Sequence, residues 1–302
     1  MSRKALRDLV DRHAGAEGFV DTPIEGLQLF RVDRTIERLP TVYPASICCI
    51  VQGSKRAYLG GATHVFDARH YLCVTMPLPM EAEVVKASPE EPLLGLMLSL
   101  ETRAMVEAMV EYEAIVGPSR ESASHELTPG LAVASLDATF ATAVERLLGL
   151  LDDPVKLRLL GSGRLRELLL TVIEGEAGPL IRRAYGGSHN ISRAISYLRE
   201  NIAEPLSVDD LAAKAFMSRS VFHRQFKTAT TYSPLQFIKA LRLSDAAMLI
   251  TQGANVSQAA DRVGYTSASQ FSREFRRHFG KSPRQWGKTA VGAPSDVRGM
   301  VV

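Results

Sequence analysis

An internal repeat in the last third of the chain restricts most strongly what this sequence can fold into. The hexapeptide FHRQFK at 222–227 recurs as FSREFR at 271–276, 49 residues later. Ahead of each copy lies a second matched segment, LAAKAFMS at 211–218 and AADRVGYTS at 259–267. Each pair predicts a short helix, a tight turn and a second helix, which is the helix-turn-helix arrangement. The chain is therefore expected to contain two such units.

The two first helices each have a small residue near the centre, Ala212 or Ala260, which allows the second helix to cross closely. The turn of the second unit is one residue longer than that of the first. It contains Gly264, and glycine permits the positive φ that such turns favour.

The second helix of each unit has an apolar face and a polar face. Phe222 and Phe226 recur at helical spacing in the first copy, as Phe271 and Phe275 do in the second, so these rings are expected to be buried. The opposite faces suit a DNA major groove, because arginine pairs bidentately with guanine and its neighbours can hold phosphates. A basic surface on a small helical bundle is the alternative, which two matched copies disfavour. The outward residues are Ser220, His223, Arg224, Lys227, Ser269, Ser272, Arg273 and Arg276.

One predicted helix joins the two units. Ser233 and Pro234 supply an N-cap and a favoured first-turn proline, and Gly253 ends the segment PLQFIKALRLSDAAMLITQ. Its 19 residues span roughly 28 Å at about 1.5 Å per residue, against about 34 Å between successive major grooves on one face of DNA. The segment is therefore predicted to be a spacer between two DNA-reading helices.

Charge is divided unevenly along the chain. Residues 187–302 contain 16 Lys and Arg against 8 Asp and Glu, whereas residues 1–186 contain 20 against 25. The basic part suits a polyanion, and the acidic part suits a separate domain. A solvated basic face with no partner would explain the charge equally well.

In the first two thirds of the chain, the pattern of apolar residues changes from strand-like to helix-like near residue 100. Residues 24–100 contain short apolar runs between glycine, proline and aspartate turns, which is typical of a small β-barrel or sandwich. From 101 to 183 the apolar spacing predicts helices, one of them over 131–153, with a helix-to-helix turn at Gly161-Ser162-Gly163. The expected fold is α+β, with a β-barrel and helices in 1–186, an all-α domain with two helix-turn-helix units in 187–290 and a disordered tail in 291–302.

The N-terminal segment MSRKALRDLVDRHAG predicts an amphipathic helix instead of a signal peptide or a membrane anchor, because charges are spread through it. No apolar run is long enough to cross a bilayer. Three cysteines are too few for a disulfide framework, so we expect a cytoplasmic protein with no membrane partner.

Catalytic and metal-site signatures are absent from the sequence. The N-terminal histidines (His13, His64, His70 and His125) include no His-x-His pair, and no set of three or four metal ligands is visible. We therefore expect no metal, no cofactor and no enzymatic activity.

The adjacent Cys48 and Cys49 lie in one apolar strand and Cys73 lies in another. Because side chains alternate along a strand, one of the adjacent pair must face the barrel interior. Three interpretations are open for these thiols: they sense an oxidant or electrophile, they line an effector pocket, or they are buried as small apolar residues.

The repeat and its surroundings resemble the AraC/XylS family of bacterial transcriptional regulators. The similarity spans residues 191–286 and is most specific in VSQAADRVGYTSASQFSREFRRHFGKSP. It implies that the two recognition helices enter successive major grooves and that Arg224 and Arg273 read bases. Ser220, His223, Ser269 and Gln270 match neighbouring contact positions, and Arg219 completes the predicted DNA-binding set. Phe216 departs from the glycine that many members have in the first turn.

The N-terminal part is similar to the cupin-like regulatory domain of one branch of that family. This resemblance implies a small effector bound in the barrel and a homodimer formed by the helices that follow. It also implies promoter or operator DNA and RNA polymerase as partners. Two alternatives remain: a cupin-type metalloenzyme fused to a DNA-binding domain, and a regulator without a ligand.

Overall fold

The computed structural model describes residues 3–100, 103–117, 130–185 and 190–290. The strands are β1 (Gly18–Asp21), β2 (Leu27–Val32), β3 (Ile36–Tyr43), β4 (Ser46–Gln52), β5 (Ser54–Leu59), β6 (Ala62–Asp67), β7 (His70–Val74), β8 (Leu78–Lys86), β9 (Leu93–Ser99) and β10 (Leu131–Ser135). The helices are α1 (Arg3–Ala14), α2 (Arg103–Val116), α3 (Ala138–Leu148), α4 (Pro154–Glu174), α5 (Gly178–Tyr185), α6 (Asn190–Glu200), α7 (Val208–Lys214), α8 (Arg219–Thr230), α9 (Pro234–Thr251), α10 (Val256–Arg262), α11 (Ala268–Phe279) and α12 (Pro283–Ala290).

The strands form two antiparallel sheets that face each other. One has the order β1-β2-β9-β4-β7-β10 and the other the order β3-β8-β5-β6. The predicted mixed fold class is therefore confirmed, although the described strands do not close into one hydrogen-bonded barrel. The run 41–52, which reads as one apolar segment, is divided between the two sheets at Pro44 and Ala45.

The six-stranded sheet separates two apolar cores. Along β4, Ile47 and Cys49 pack on the side of helices α1 to α5, whereas Cys48 and Ile50 face the four-stranded sheet. This alternation follows from the two-residue period of a strand, and it makes β4 buried on both faces.

Two helix predictions in the N-terminal part are wrong. Residues 131–135 form a strand that pairs with β7 instead of the start of a helix, and the helix begins only after Asp137, whose side chain accepts a hydrogen bond from the Phe140 N–H. Gly161-Ser162-Gly163 does not form a turn, because α4 continues through it. Glycine costs a helix only about 1 kcal/mol, which the packing of a 21-residue helix outweighs.

The C-terminal helices pack against the four-stranded sheet. Helix α9 lies on β3 and β8, and the backbone N–H of Gly130 donates a 2.6 Å hydrogen bond to the C=O of Ala229. Buried residues of the sheet and of α6 to α9 form one continuous apolar cluster. The sequence predicts a linker over 185–190, but Tyr185 ends α5 and Asn190 begins α6. The remaining residues of that segment, 186–189, and the predicted tail at 291–302 lie outside the described residues. In the described part of the chain, no helix has the length and apolar character needed to cross a bilayer.

Candidate nucleic-acid interface and effector site

The first helix-turn-helix unit consists of α7 and α8. Helix α7 begins with a capping box in which Ser207 and Asp210 exchange hydrogen bonds. On α8, Phe222 and Phe226 are fully buried, which leaves the opposite face toward solvent. The predicted DNA-binding residues are all on that helix, and each is exposed except the half-buried His223: Arg219, Ser220, His223, Arg224 and Lys227.

Phe216 gives the first turn the same backbone geometry as glycine gives the second. Its φ is +50°, in the left-handed region, and Gly264 has a φ of +81°. A side chain in that region costs about 1–2 kcal/mol. The Phe216 ring is 78% exposed, and the guanidinium of Arg193 lies 4.1 Å from its centre. The turns are therefore alike in backbone conformation, with the second one residue longer as the sequence predicts.

The second unit consists of α10 and α11. Ser267 caps α11 by accepting from the Gln270 N–H, and Phe271 and Phe275 are fully buried. Trp286 is half-buried and packs against Phe275 and Phe279 at the edge of this core. The predicted DNA-binding residues lie on α11 and are exposed, apart from the half-buried Ser272: Ser269, Gln270, Ser272, Arg273 and Arg276.

Glu274 joins α11 to the spacer helix. Its carboxylate accepts hydrogen bonds from Lys239 of α9 (3.1 Å), Tyr265 (2.9 Å) and Gln270 (3.2 Å). Burial alone would raise the pKa of Glu274, but these donors outweigh it and hold the pKa below its ordinary value. Glu274 has no recognisable signature in the sequence, because its partners are 35 and 9 positions away as well as one turn away on its own helix.

Arg242 of α9 joins the segment that precedes the first unit to the turn of the second unit. Its guanidinium donates to the carbonyl groups of Ile202 and Glu204, before the first unit, and to that of Gly264 in the second. A Cβ at Gly264 would lie 2.4 Å from the carbonyl oxygen of Ala203. Glycine is therefore required there by close packing as well as by its φ.

Arg224 and Arg273 occupy equivalent positions on the exposed faces of α8 and α11. Within the described residues neither guanidinium forms an ion pair, unlike Arg219, which pairs with Asp209 at 2.9 Å. The 18 residues of α9 give an axial length of about 27 Å between the two units.

A polar cluster lies between the two sheets of the N-terminal domain. Lys55 of β5 is 1% exposed, and its Nζ lies 5.3 Å from the ring centre of Tyr43 and 5.9 Å from that of Phe30. Cys48 is also on this side; burial raises the pKa of its thiol, and the nearby Lys55 offsets part of that rise. The signal for Lys55 in the sequence is the alternation along SKRAYL, which places it on the same face as Ala57 and Leu59.

The structure does not bring the three cysteines together. Cys48 faces the other sheet, whereas Cys49 and Cys73 face the helices. Burial raises the pKa of all three thiols, that of Cys73 to about 12, which disfavours the reactive thiolate. In the described residues no three metal-ligating side chains cluster.

A cleft of about 170 Å³ lies between the four-stranded sheet and the C-terminal helices. On the sheet side, the guanidinium of Arg38 lies 3.8 Å from the ring centre of Tyr58 and donates to Glu81. The C-terminal helices contribute residues close to both units, namely Tyr232, Ala240, Ser244 and His278. The cleft therefore lies beside residues of both helix-turn-helix regions, Tyr232 after α8 and His278 on α11.

Two protein-family models match this chain. The model of the AraC-type transcriptional regulator N-terminus matches residues 23–180, more than half of the chain. The chain belongs to this family of AraC-type transcriptional regulators. A helix-turn-helix domain model matches residues 211–289.

The AraC-type assignment agrees with individual relatives. The raffinose operon regulator RafR of Pediococcus pentosaceus is 37% identical over 97 residues, covering 32% of this chain and 35% of RafR. The transcriptional activator RhaS of Escherichia coli is 33% identical over 91 residues, covering 30% of this chain and 33% of RhaS. The chain therefore matches about a third of the length of these relatives.

The fold of the whole AraC-type chain is similar to that of ToxT from Vibrio cholerae. The apo form of a ToxT point variant has a TM-score of 0.55 at 12% identity, covering 89% of this chain and 99% of that one. Wild-type ToxT bound to an unsaturated fatty acid has a TM-score of 0.53 at 11% identity, covering 92% and 98%. This likeness shows the fold.

Proposed function

We propose that this protein regulates transcription by binding a specific DNA site through α8 and α11, under the control of a small effector bound in the N-terminal domain. The observation that supports it best is the pair of matched helices at the two ends of α9. Each buries two phenylalanines and turns an exposed arginine, Arg224 or Arg273, toward solvent. Arginine pairs with guanine in the major groove, and two recognition helices held apart by one spacer helix would contact two successive grooves.

The DNA proposal is tested by selecting DNA fragments that the purified full-length protein retains. We expect one enriched sequence with two conserved blocks about one helical turn apart. Retention of unrelated sequences with no common element would contradict a sequence-specific function.

We further propose that the effector binds between the two sheets, and that β3 transmits its presence to the DNA-binding helices. Thr41 and Tyr43 of β3 face the six-stranded sheet, while Pro40 lines the cleft on the opposite side, where α9 packs. A ligand that moves β3 would therefore move the spacer helix. The ligand-bound form of ToxT supports a small-molecule effector in this fold.

We also propose that the protein forms a homodimer through α2 and α4. These helices have apolar side chains that are exposed in the described structure, and a second copy would bury them. They are Val106 and Val110 on α2 and Val155, Leu159 and Leu160 on α4.

The alternative, an N-terminal metalloenzyme fused to a DNA-binding domain, is separated from a sensor by metal analysis of the purified protein. Stoichiometric Fe, Mn or Zn would favour the enzyme. Loss of DNA-binding control on metal removal would further support that alternative.

A further inference from the structure

The 49-residue repeat extends beyond the two recognition helices. Ser233 and Gln236 at the start of α9 recur as Ser282 and Gln285 at the start of α12. In both pairs the glutamine Oε1 accepts a hydrogen bond from the serine backbone N–H, at 3.1 and 2.9 Å. The end of one recognition helix and the helix after it can therefore be compared, position by position, with those of the other unit.

The comparison shows a basic segment after the second recognition helix that the first unit lacks. Its four cations stand where the first unit has a threonine, a tyrosine, a leucine and one lysine, Lys239, which pairs with Glu274 at 3.1 Å. We call the four cations the basic strip: Arg277, Lys281, Arg284 and Lys288, with the counterparts Thr228, Tyr232, Leu235 and Lys239.

The basic strip carries positive charge that the protein itself does not neutralise in the described structure. All four side chains are exposed, and within the described residues none of them forms an ion pair or a hydrogen bond. Residues 254–290 contain only two carboxylates, Asp261 and Glu274, and Glu274 already accepts from Lys239. Like charges this close along a chain repel one another, so an anionic partner would be favoured here.

The position of the strip beside Arg273 indicates which anion it meets. Arg277 lies one turn after Arg273 on α11, on the side opposite the buried Phe271 and Phe275. Trp286 packs against Phe275, which holds α12 beside α11. The strip therefore continues the exposed surface of Arg273 past the end of the recognition helix.

We propose that the basic strip binds phosphates of the DNA backbone beside the groove that α11 enters, so that the second unit holds DNA over a longer stretch than the first. In helix-turn-helix proteins the first residues of the recognition helix contact the bases, so groups at and beyond its end are placed toward the backbone. Phosphate contacts carry no sequence information, so the strip would add affinity without specificity. This inference rests on the proposed DNA function and divides the phosphate contacts unequally between the two units.

Titration of the selected DNA site at several salt concentrations tests the proposal. The fourfold variant replaces every member of the basic strip by glutamine. Because each phosphate contact contributes about 0.9 to the slope of log affinity against log salt, we expect the slope to fall by about 3–4. The ratio of specific to scrambled binding should not change, in contrast to that of Arg273→Ala.

A variant with the same change in net charge is the matched control. It replaces four exposed basic residues of the N-terminal part by glutamine and should keep the slope of the unmodified protein: Arg12, Arg69, Lys86 and Arg183. Thermal unfolding shows whether each variant is folded. If the fourfold variant does not fold, Arg277→Gln and Lys281→Gln are titrated singly, each with an expected fall in slope of about 1.

Neutral methylphosphonate linkages, placed one at a time along the selected site, locate the contacts on the DNA. Arg224→Ala and Arg273→Ala identify the block that each recognition helix reads, since each should relax discrimination in its own block. We expect more sensitive linkages around the block of Arg273 than around that of Arg224. The fourfold variant should be insensitive at the additional positions, because it has already lost the partner of those phosphates.

Several outcomes would overturn the phosphate proposal. They are an unchanged salt slope in the fourfold variant, an equal fall in the charge-matched control, or equal numbers of sensitive linkages around the two blocks. Unchanged DNA binding with a lost effect on transcription by purified RNA polymerase would also overturn it, and would assign the strip to a protein partner. If the unmodified protein selects no specific site, the proposed DNA function is wrong; if it selects a site with two blocks and the strip has no effect, only this inference is wrong.

Discussion

Gly60, in the turn between β5 and β6, packs directly against Thr231 at the end of the first recognition helix. A Cβ at Gly60 would lie 2.7 Å from the Thr231 hydroxyl oxygen. Thr231 itself has a left-handed backbone, with a φ of +66°. The sheet domain and the end of α8 are therefore closely packed at this point, with no space for a larger side chain at position 60.

Gly60→Ala should weaken the contact between the domains. Gly60 and Gly61 both have positive φ, so alanine at either position is strained, but a Cβ at Gly61 would meet nothing within 4 Å. We expect Gly60→Ala to lower the free energy of unfolding by about 1–3 kcal/mol more than Gly61→Ala does. Urea unfolding measures both variants. Equal destabilisation would show that the Thr231 contact contributes nothing.

Arg224→Ala and Arg273→Ala should each cost about 1–3 kcal/mol in binding to the selected DNA site. Both arginines are exposed, so the fold should be unaffected. Competition between specific and scrambled DNA should also show reduced discrimination. Arg146→Ala, which removes an arginine paired with Glu167 in the N-terminal domain, is the control and should bind normally. An unchanged ratio of specific to scrambled binding would remove the base-reading role of that arginine.

Binding should weaken steeply as salt increases, because contacts with DNA phosphates release counterions. Lys227 is exposed on α8 and is a candidate phosphate contact. Lys227→Gln should weaken binding to all sequences and reduce the slope of log affinity against log salt by about 1. Titrations at several salt concentrations measure this. A flat response in the unmodified protein would argue against DNA binding altogether.

Glu274→Gln should weaken the attachment of α11 to α9. The variant loses the negative charge that strengthens the hydrogen bonds from Lys239 and Tyr265. We therefore expect the free energy of unfolding to fall by about 2 kcal/mol at pH 7. Affinity for the selected DNA site should fall as well. Glu107→Gln, which removes an exposed partner of Arg103, is the control and should change stability little.

The effect of Glu274 should depend on pH. Because its folded-state pKa is below the ordinary value of 4.5, the carboxylate stabilises the protein above that value. This contribution is lost as pH falls through the lower, folded-state pKa. The difference in stability between the unmodified protein and Glu274→Gln should therefore shrink in acid. A difference that does not change between pH 7 and pH 3 would contradict the assignment.

Leu159→Glu and Val110→Glu should prevent dimerisation. Both side chains are largely exposed in the single chain, at 74% and 61%, so charge there should leave the fold intact. Sedimentation would then show a monomer where the unmodified protein sediments as a dimer. Val65→Glu, at an exposed position on β6, is the control. If the unmodified protein is itself monomeric, the proposed interface is wrong.

The sequence predicts the C-terminal domain almost completely because its signals are local. The helical spacing of Phe222 and Phe226, the N-cap Ser233 and the helix-ending Gly253 lie within a few residues of the structures they specify. The predicted spacer ends within one residue of the observed α9.

The N-terminal part is predicted less well because its structure depends on distant partners. The apolar spacing of residues 131–135 is compatible with a helix or a strand, and these residues form β10 because they can pair with the edge of β7. Nothing in the sequence indicates that the Tyr43 hydroxyl is buried without a hydrogen-bond partner among the described residues, since this depends on what lies across the sheets. The contact of Gly60 with Thr231 is likewise set by the packing of two domains.

The continuous apolar cluster between the four-stranded sheet and α6 to α9 limits how this regulator can be recombined with its relatives. A chimera that joins this sensor half to a foreign DNA-binding half would place unmatched side chains on the outer face of β3. Exchanging β3, β8 and α9 as one block would preserve that face. A functional chimera should therefore keep both sides of this interface from the same protein. A junction placed in the segment between α5 and α6 would separate the two sides.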